Sequence, residues 1–220
     1  MNAAHLTAAR AADLDSPGGR LLYRIFEIIP GTLAWGTFAF AFFASWFFPA
    51  FAAFFSLSFV LFWLLRVLYF GFHLRAGYRK TREHEKTDWL EKLKNIPGWR
   101  DIYHLVVVPT YGEPLEILRE TFGGLRDSDY PKEKMIVVLG IEQRSGKEGR
   151  QKAETIEREF GKDFFRFLVT CHPENLPGEI AGKGSNETWA SKKAKEEIID
   201  PLGIPLEHII VSSLDADTVV

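Results

Sequence analysis

The chain has 220 residues, 46% of them hydrophobic and 14% aromatic, with a formal net charge of −2. It is too apolar for a disordered chain, and a single cysteine excludes a disulfide scaffold. The averages hide an uneven distribution: 14 of the 19 phenylalanines lie between Phe26 and Phe72, which excludes a fully soluble protein.

Residues 28–65 form an unbroken run of 38 without Asp, Glu, Lys, Arg or His. As one helix this run would measure roughly 57 Å at about 1.5 Å per residue. A bilayer core of about 30 Å needs only about 20 residues. Pro49 lies near the middle, and proline opens a helix readily but interrupts one badly. The run therefore predicts a transmembrane hairpin over 28–74, with spans at about 28–48 and 50–72, after a cytosolic N-terminal segment 1–27. Trp35, Trp46, Trp63 and Tyr69 are interface anchors, and Arg66 can snorkel to the surface. The run is too long for the about 7–15 apolar residues of a signal peptide. A buried helical hairpin in a large soluble protein is the alternative.

The turn between the spans carries no charge. Arg10, Arg20 and Arg24 flank it on one side, and Arg75, Arg79, Lys80 and Arg82 on the other. The positive-inside rule puts both flanks on the cytosolic face of the cell (inner) membrane. Cys171 agrees with a reducing compartment. Net charge is +2 over residues 1–75, +3 over 76–100 and −7 over 101–220. Residues 75–100 thus read as a basic connector beside anionic head groups. Within it, Thr87 or Asp88 caps a short helix carrying Trp89, Leu90 and Leu93, ended by Asn95-Ile96-Pro97-Gly98. The acidic remainder makes nucleic acid a poor partner.

From Asp101 the pattern alternates strand and helix. Strands are expected over Ile102–Val108, Met135–Leu139, Phe164–Val169 and His208–Leu214. Helices are expected from Pro114 (with Leu115, Leu118, Phe122 and Leu125 on one face), over Glu148–Phe160 and over Thr188–Ile199. This order implies an α/β fold with a mostly parallel sheet and right-handed crossovers, which binds ligands at the carboxyl ends of its strands. Pro109-Thr110-Tyr111, Glu142, and Asp215 with Asp217 fall there.

Asp215-Ala216-Asp217 follows a buried strand. In an extended chain the two carboxylates point the same way, and they are hard oxygen ligands suited to Mg2+ or Mn2+ completed by substrate phosphates. A solvated turn is the plainer reading. The stretch from Gly178 to Gly182-Lys183-Gly184-Ser185 fails the P-loop pattern in glycine spacing and in the residue after lysine. It reads as a loop whose Lys183 can reach a phosphate, or as an ordinary surface loop. His172, next to Cys171, has no partner at metal-ligand spacing and reads as structural or solvated.

Taken in order, these pieces resemble the family 2 glycosyltransferases, the membrane-anchored, cellulose-synthase-like members especially. The resemblance covers 101–220, and the preceding hairpin matches the layout. Val106-Val107-Val108-Pro109-Thr110-Tyr111-Gly112-Glu113 resembles the family's opening strand and nucleotide loop. Gly140-Ile141-Glu142-Gln143-Arg144 stands where the family usually has Asp-Asp-Gly-Ser, with Glu142 the candidate replacement for the base-contacting acid. Gly182-Lys183-Gly184-Ser185-Asn186 resembles the segment beside the diphosphate, and Asp215-Ala216-Asp217 the metal-binding Asp-x-Asp.

The resemblance implies a GT-A (Rossmann-like) fold and transfer of a sugar from a nucleotide sugar, UDP-linked, to a glycan or lipid-linked acceptor. Pro109, Thr110, Tyr111, Glu113, Glu142, Lys183, Asn186 and Asp215 would bind the donor, and Asp215 and Asp217 a Mg2+ or Mn2+. The family's base and its Gln-x-x-Arg-Trp motif lie further downstream. The expectation is therefore an N-terminal fragment with an incomplete sheet, its base beyond Val220, inactive alone. Two rivals stand beside it: a membrane-anchored, non-catalytic binding or scaffold module, and a haloacid-dehalogenase-like phosphatase. In the latter the motif is Asp-x-Asp-x-Thr, and here Thr218 comes one position early.

Overall fold

The computed structural model describes residues 10–176 and 179–218 and divides into two compact units, 1–88 and 89–220. Gly178 and Val220 lie outside the described residues.

The first unit holds two long helices, α1 (Pro17–Phe47) and α2 (Pro49–His84). Helix α1 starts where Ser16 Oγ accepts the Gly19 N–H at 3.1 Å, with Pro17 just inside the first turn. Both are strong start signals. The chain leaves helical geometry only at Phe48 (φ −137°, ψ 63°), and Pro49 opens α2. The break at Pro49 thus falls where proline chemistry puts it. Near it the rings of Phe40 and Phe51 meet edge-on, 6.0 Å apart.

Both helices are long and apolar enough to cross a membrane. Their large side chains are exposed along their length, with Trp35 and Trp46 each more than three-quarters accessible. Only a nonpolar surrounding makes such a surface stable, which favours the bilayer over a soluble core helix. Both outer ends run past the apolar run. Helix α1 begins 11 residues before Ile28, and α2 carries Arg75, Arg79, Lys80 and Arg82 on continuous helix. The first part of the expected connector is therefore helical, because charged residues propagate a helix well.

The second unit opens with the short helix α3 (Trp89–Lys94), followed by Gly98 in the left-handed region at φ 77°. Thr87 does not cap α3. Its hydroxyl donates back to the Glu83 carbonyl at 3.0 Å. Then come β1 (Tyr103–Pro109), α4 (Leu115–Asp127), β2 (Met135–Glu142), α5 (Gly146–Phe160), β3 (Arg166–His172), α6 (Lys183–Ala194) and β4 (Ile209–Ser213). Helix α6 continues through a π-helical turn over Lys195–Ile199.

The four strands form one all-parallel sheet in the order β3-β2-β1-β4. Every residue of β2 is buried, as suits an interior strand covered on both faces. Alternation along β1 splits the core in two. Val106 and Val108 pack with Leu118, Phe122, Ile156 and Phe160 of α4 and α5. Leu105 and Val107 pack with Ala190 and Ala194 of α6 and with Ile198. The fold is thus α/β, with helices on both faces of a parallel sheet.

The chain steps outward from β1 to β3 and then returns to the other side of β1. The strand order therefore reverses between β1 and β4, and in such sheets the crevice beyond that point holds the ligand.

Candidate functional site

The loop after β1 is tied to itself. Glu113 Oε2 accepts from the Thr110 hydroxyl, the Tyr111 N–H at 2.8 Å and the Gly112 N–H at 3.0 Å. Burial opposes the Glu113 charge, but the Thr110 hydroxyl and the amides of Tyr111, Glu113 and Gly112 more than offset it. The carboxyl is held below its ordinary range. The loop is anchored to β2 by Thr110 N–H on the Gly140 carbonyl (2.8 Å) and to α5 by Lys152 Nζ on the Glu113 carbonyl (3.1 Å). Tyr111 is left half exposed at the rim.

At the end of β2, Glu142 is buried and its carboxylate is gripped by Arg144, Nε on Oε2 and Nη2 on Oε1 (3.0 Å). The guanidinium carbon also lies 4.0 Å from the centroid of the Tyr111 ring. Arg144 therefore links the β1 loop to the β2 end, whereas the sequence pointed only to Glu142 there, as the candidate base-contacting acid. The available signal was its place two residues past Glu142, still on the strand-to-helix turn.

Of the stretch Gly182–Asn186 only the N-cap Gly182 lies outside a helix. Lys183 is the first residue of α6, and Asn186 N–H bonds the Gly182 carbonyl at 3.1 Å. Asn186 is almost fully buried, donates Nδ2 to the Gly140 carbonyl at 2.8 Å and leaves Oδ1 without a partner. Lys183 pairs with Asp215 and lies 3.7 Å from Glu187. The hydrogen bond to Asp215 is the main reason its ammonium is held above its ordinary value. Both side chains are about half exposed, so the pair can exchange partners at little cost.

The segment after β4 turns instead of staying extended, with the Thr218 N–H bonding the Asp215 carbonyl at 2.9 Å. Ala216 is buried, and its carbonyl accepts the Thr121 hydroxyl at 2.6 Å. Asp215 and Asp217 are exposed on either side of it. The extended-chain argument is replaced by a turn that buries the middle residue and presents both carboxylates to solvent.

One cleft at the carboxyl ends of the strands collects these pieces. Pro109, Thr110, Tyr111 and Glu113 line it from β1 and its loop, and Glu142 with Arg144 from the end of β2. Lys183 and Asn186 come from α6, and Asp215 from the end of β4. All eight residues assigned to donor binding from the sequence are there, with Arg144 added; Asp217 lies outside the lining. A neighbouring cavity shares the Thr110–Glu113 loop and reaches Ser145, Glu148 and Lys152.

Among the described residues no group of three His, Cys, Asp or Glu is arranged to hold a metal. Asp215 and Asp217 are hard oxygen donors, the ligand type that Mg2+ or Mn2+ takes when phosphate and water complete its shell. His172 is buried, bonds Glu179 Oε2 at 3.0 Å and meets the Trp189 ring edge-on, which is a structural role. No protein-family model matches this chain, and no curated protein matches it.

Proposed function

We propose that this chain carries the donor-binding site of a membrane-bound glycosyltransferase of the family 2, GT-A type. In this reading it takes a nucleotide sugar, UDP-linked, on the cytosolic face of the membrane and serves a glycan or lipid-linked acceptor. The observation that carries the reading is one cleft beside the strand-order reversal, lined by all eight residues that the resemblance nominated from the sequence.

The chemistry of each residue supports this use. Tyr111 with Arg144 offers a flat, partly exposed surface on which a heterocycle can stack. Lys183 brings a positive charge to the mouth of the cleft, where it exchanges Asp215 for a diphosphate. Asp215 and Asp217 would hold Mg2+ or Mn2+. When bound, that cation neutralises the charge growing on the leaving diphosphate. A non-catalytic binding module is the second reading. It is favoured by one feature: Lys183 and Arg144 already occupy the carboxylates of Asp215 and Glu142.

Thermal unfolding of the detergent-solubilised chain tests nucleotide binding. UDP with Mn2+ should raise the midpoint, since a ligand at 100-fold its Kd adds about 2.7 kcal/mol of stability. Lys183→Ala and Asp217→Ala should lose most of that rise. An unchanged midpoint with UDP and Mn2+ overturns the reading. A rise that does not depend on Mn2+ or on Asp217 favours the binding module.

A further inference from the structure

We propose that residues 17–27, the first part of α1, form an amphipathic segment that lies in the head-group boundary of the bilayer where α1 enters it, bent from the membrane-spanning part at Pro30. The occupant of its apolar face is lipid. The proposal rests on the bilayer reading of α1 and α2 and is independent of the nucleotide-sugar reading.

Helix α1 has 31 residues and so runs about 46 Å, whereas a bilayer core takes about 20 residues and 30 Å. Residues 28–47 are 20 in number and carry no charge, so they fill the core and leave residues 17–27 beyond it. That remainder is patterned. At about 100° per residue, Leu21, Leu22, Ile25 and Phe26 fall within an arc of about 140°, with Arg20, Arg24 and Glu27 clustered opposite. The four apolar side chains are exposed, from 46% at Ile25 to 64% at Leu21. This face runs without a break into the exposed apolar surface of residues 28–47, so the lipid that covers the one is at hand for the other.

The polar side is engaged within the chain. Arg24 Nη1 pairs with Glu27 Oε2 at 2.6 Å, and Arg20 Nε donates to the Leu14 carbonyl at 2.6 Å. Leu14 is buried and packs beside Gly19, on the flank of the helix and away from the apolar face. Over residues 10–27 three arginines meet two aspartates and one glutamate, so apolar area and not head-group charge sets the binding. Pro30 lies inside α1 and has no N–H to donate to the Phe26 carbonyl four residues back. Water reaches that carbonyl at the head-group boundary but not in hydrocarbon, which places Phe26 at the boundary. Proline is also where a helix bends, and a bend there turns the Leu22 and Phe26 face into the acyl layer while residues 28–47 cross it.

Spin-label depth measurements test this on the 220-residue chain in zwitterionic phosphatidylcholine vesicles, with Cys171→Ser as background. Nitroxides on Leu22→Cys and Phe26→Cys should read about 5–10 Å inside the phosphate level, and those on Arg20→Cys and Arg24→Cys at or above it. A label on Phe38→Cys, near the middle of the span, should read close to the bilayer centre. In Pro30→Ala the depth difference between the two faces should shrink as the helix straightens. Water-exposed labels at all four boundary positions, or labels shielded by protein from both water and lipid, overturn the proposal, while a Phe38 label in the core leaves the bilayer reading standing. An unchanged depth difference in Pro30→Ala overturns the bend. A water-exposed Phe38 label overturns the bilayer reading and the proposal with it.

Discussion

Glu113 is legible in the sequence as part of a nucleotide loop, but its observed bonds all go to its own loop. It shapes the surface that a ligand would meet. Its carboxyl is held below the ordinary 4.5, so its contribution to stability is present above that value and is lost as pH falls through the lower, folded value. Glu113→Gln removes the charge and keeps the shape. Acid unfolding of that variant should decline less steeply below pH 4.5 than that of the unaltered chain, and equal slopes contradict the assignment. Gly140 lies under the same loop. A Cβ there would sit 2.8 Å from Asn186 Oδ1, so Gly140→Ala should cost about 1–3 kcal/mol in chemical denaturation. Asn186→Ala removes the clash, so the double variant should lose less than the sum of the two single ones. A strictly additive pair would show that the glycine is not there for Asn186. Neither this contact nor the Arg144–Tyr111 contact was legible, because each joins residues that only tertiary packing brings together.

The strands were legible as short apolar runs, β-branched in β1, β2 and β4 and phenylalanine-rich leading into β3, and α4 because Leu118, Phe122 and Leu125 recur at helical spacing. Phe122 is completely buried between the sheet and α5, so Phe122→Ala should cost about 3–5 kcal/mol in denaturant titration. A cost below about 1 kcal/mol would contradict that packing. The start of α6 was not legible. Its buried face is Asn186, Ala190 and Ala194, small or polar residues with two glycines just before them, so no apolar period announces the helix. The start of α1 carried a clear Ser16-Pro17 signal, but charge content alone set the expected boundary. Orientation of α1 and α2 in the membrane is open to a direct check. With Cys171→Ser as background, Ala50→Cys beside the helix break should react with an impermeant thiol reagent added from outside intact cells. Lys80→Cys should react only after lysis. The reverse pattern contradicts a cytosolic globular unit.

At the scale of the whole molecule, the mean composition joins two physically different objects. Among the described residues the first unit is apolar helix without a buried core, and the second an acidic α/β unit with two buried layers. Chemistry collects at one place in the second, because a parallel sheet ends all its strands on one edge and the order reverses between β1 and β4. That geometry made the site findable: residues about 100 positions apart, such as Thr110 and Asp215, share a cleft since each follows a neighbouring strand. The central claim is that this cleft binds a nucleoside diphosphate through Lys183 and a metal held at Asp215 and Asp217. Isothermal titration of UDP into the detergent-solubilised chain in Mn2+ buffer tests it most directly. The account predicts a saturable single-site heat, weakened about tenfold or more in Asp215→Ala/Asp217→Ala and abolished by chelating the metal. No saturable heat, or an isotherm indifferent to both the aspartates and the chelator, would contradict it.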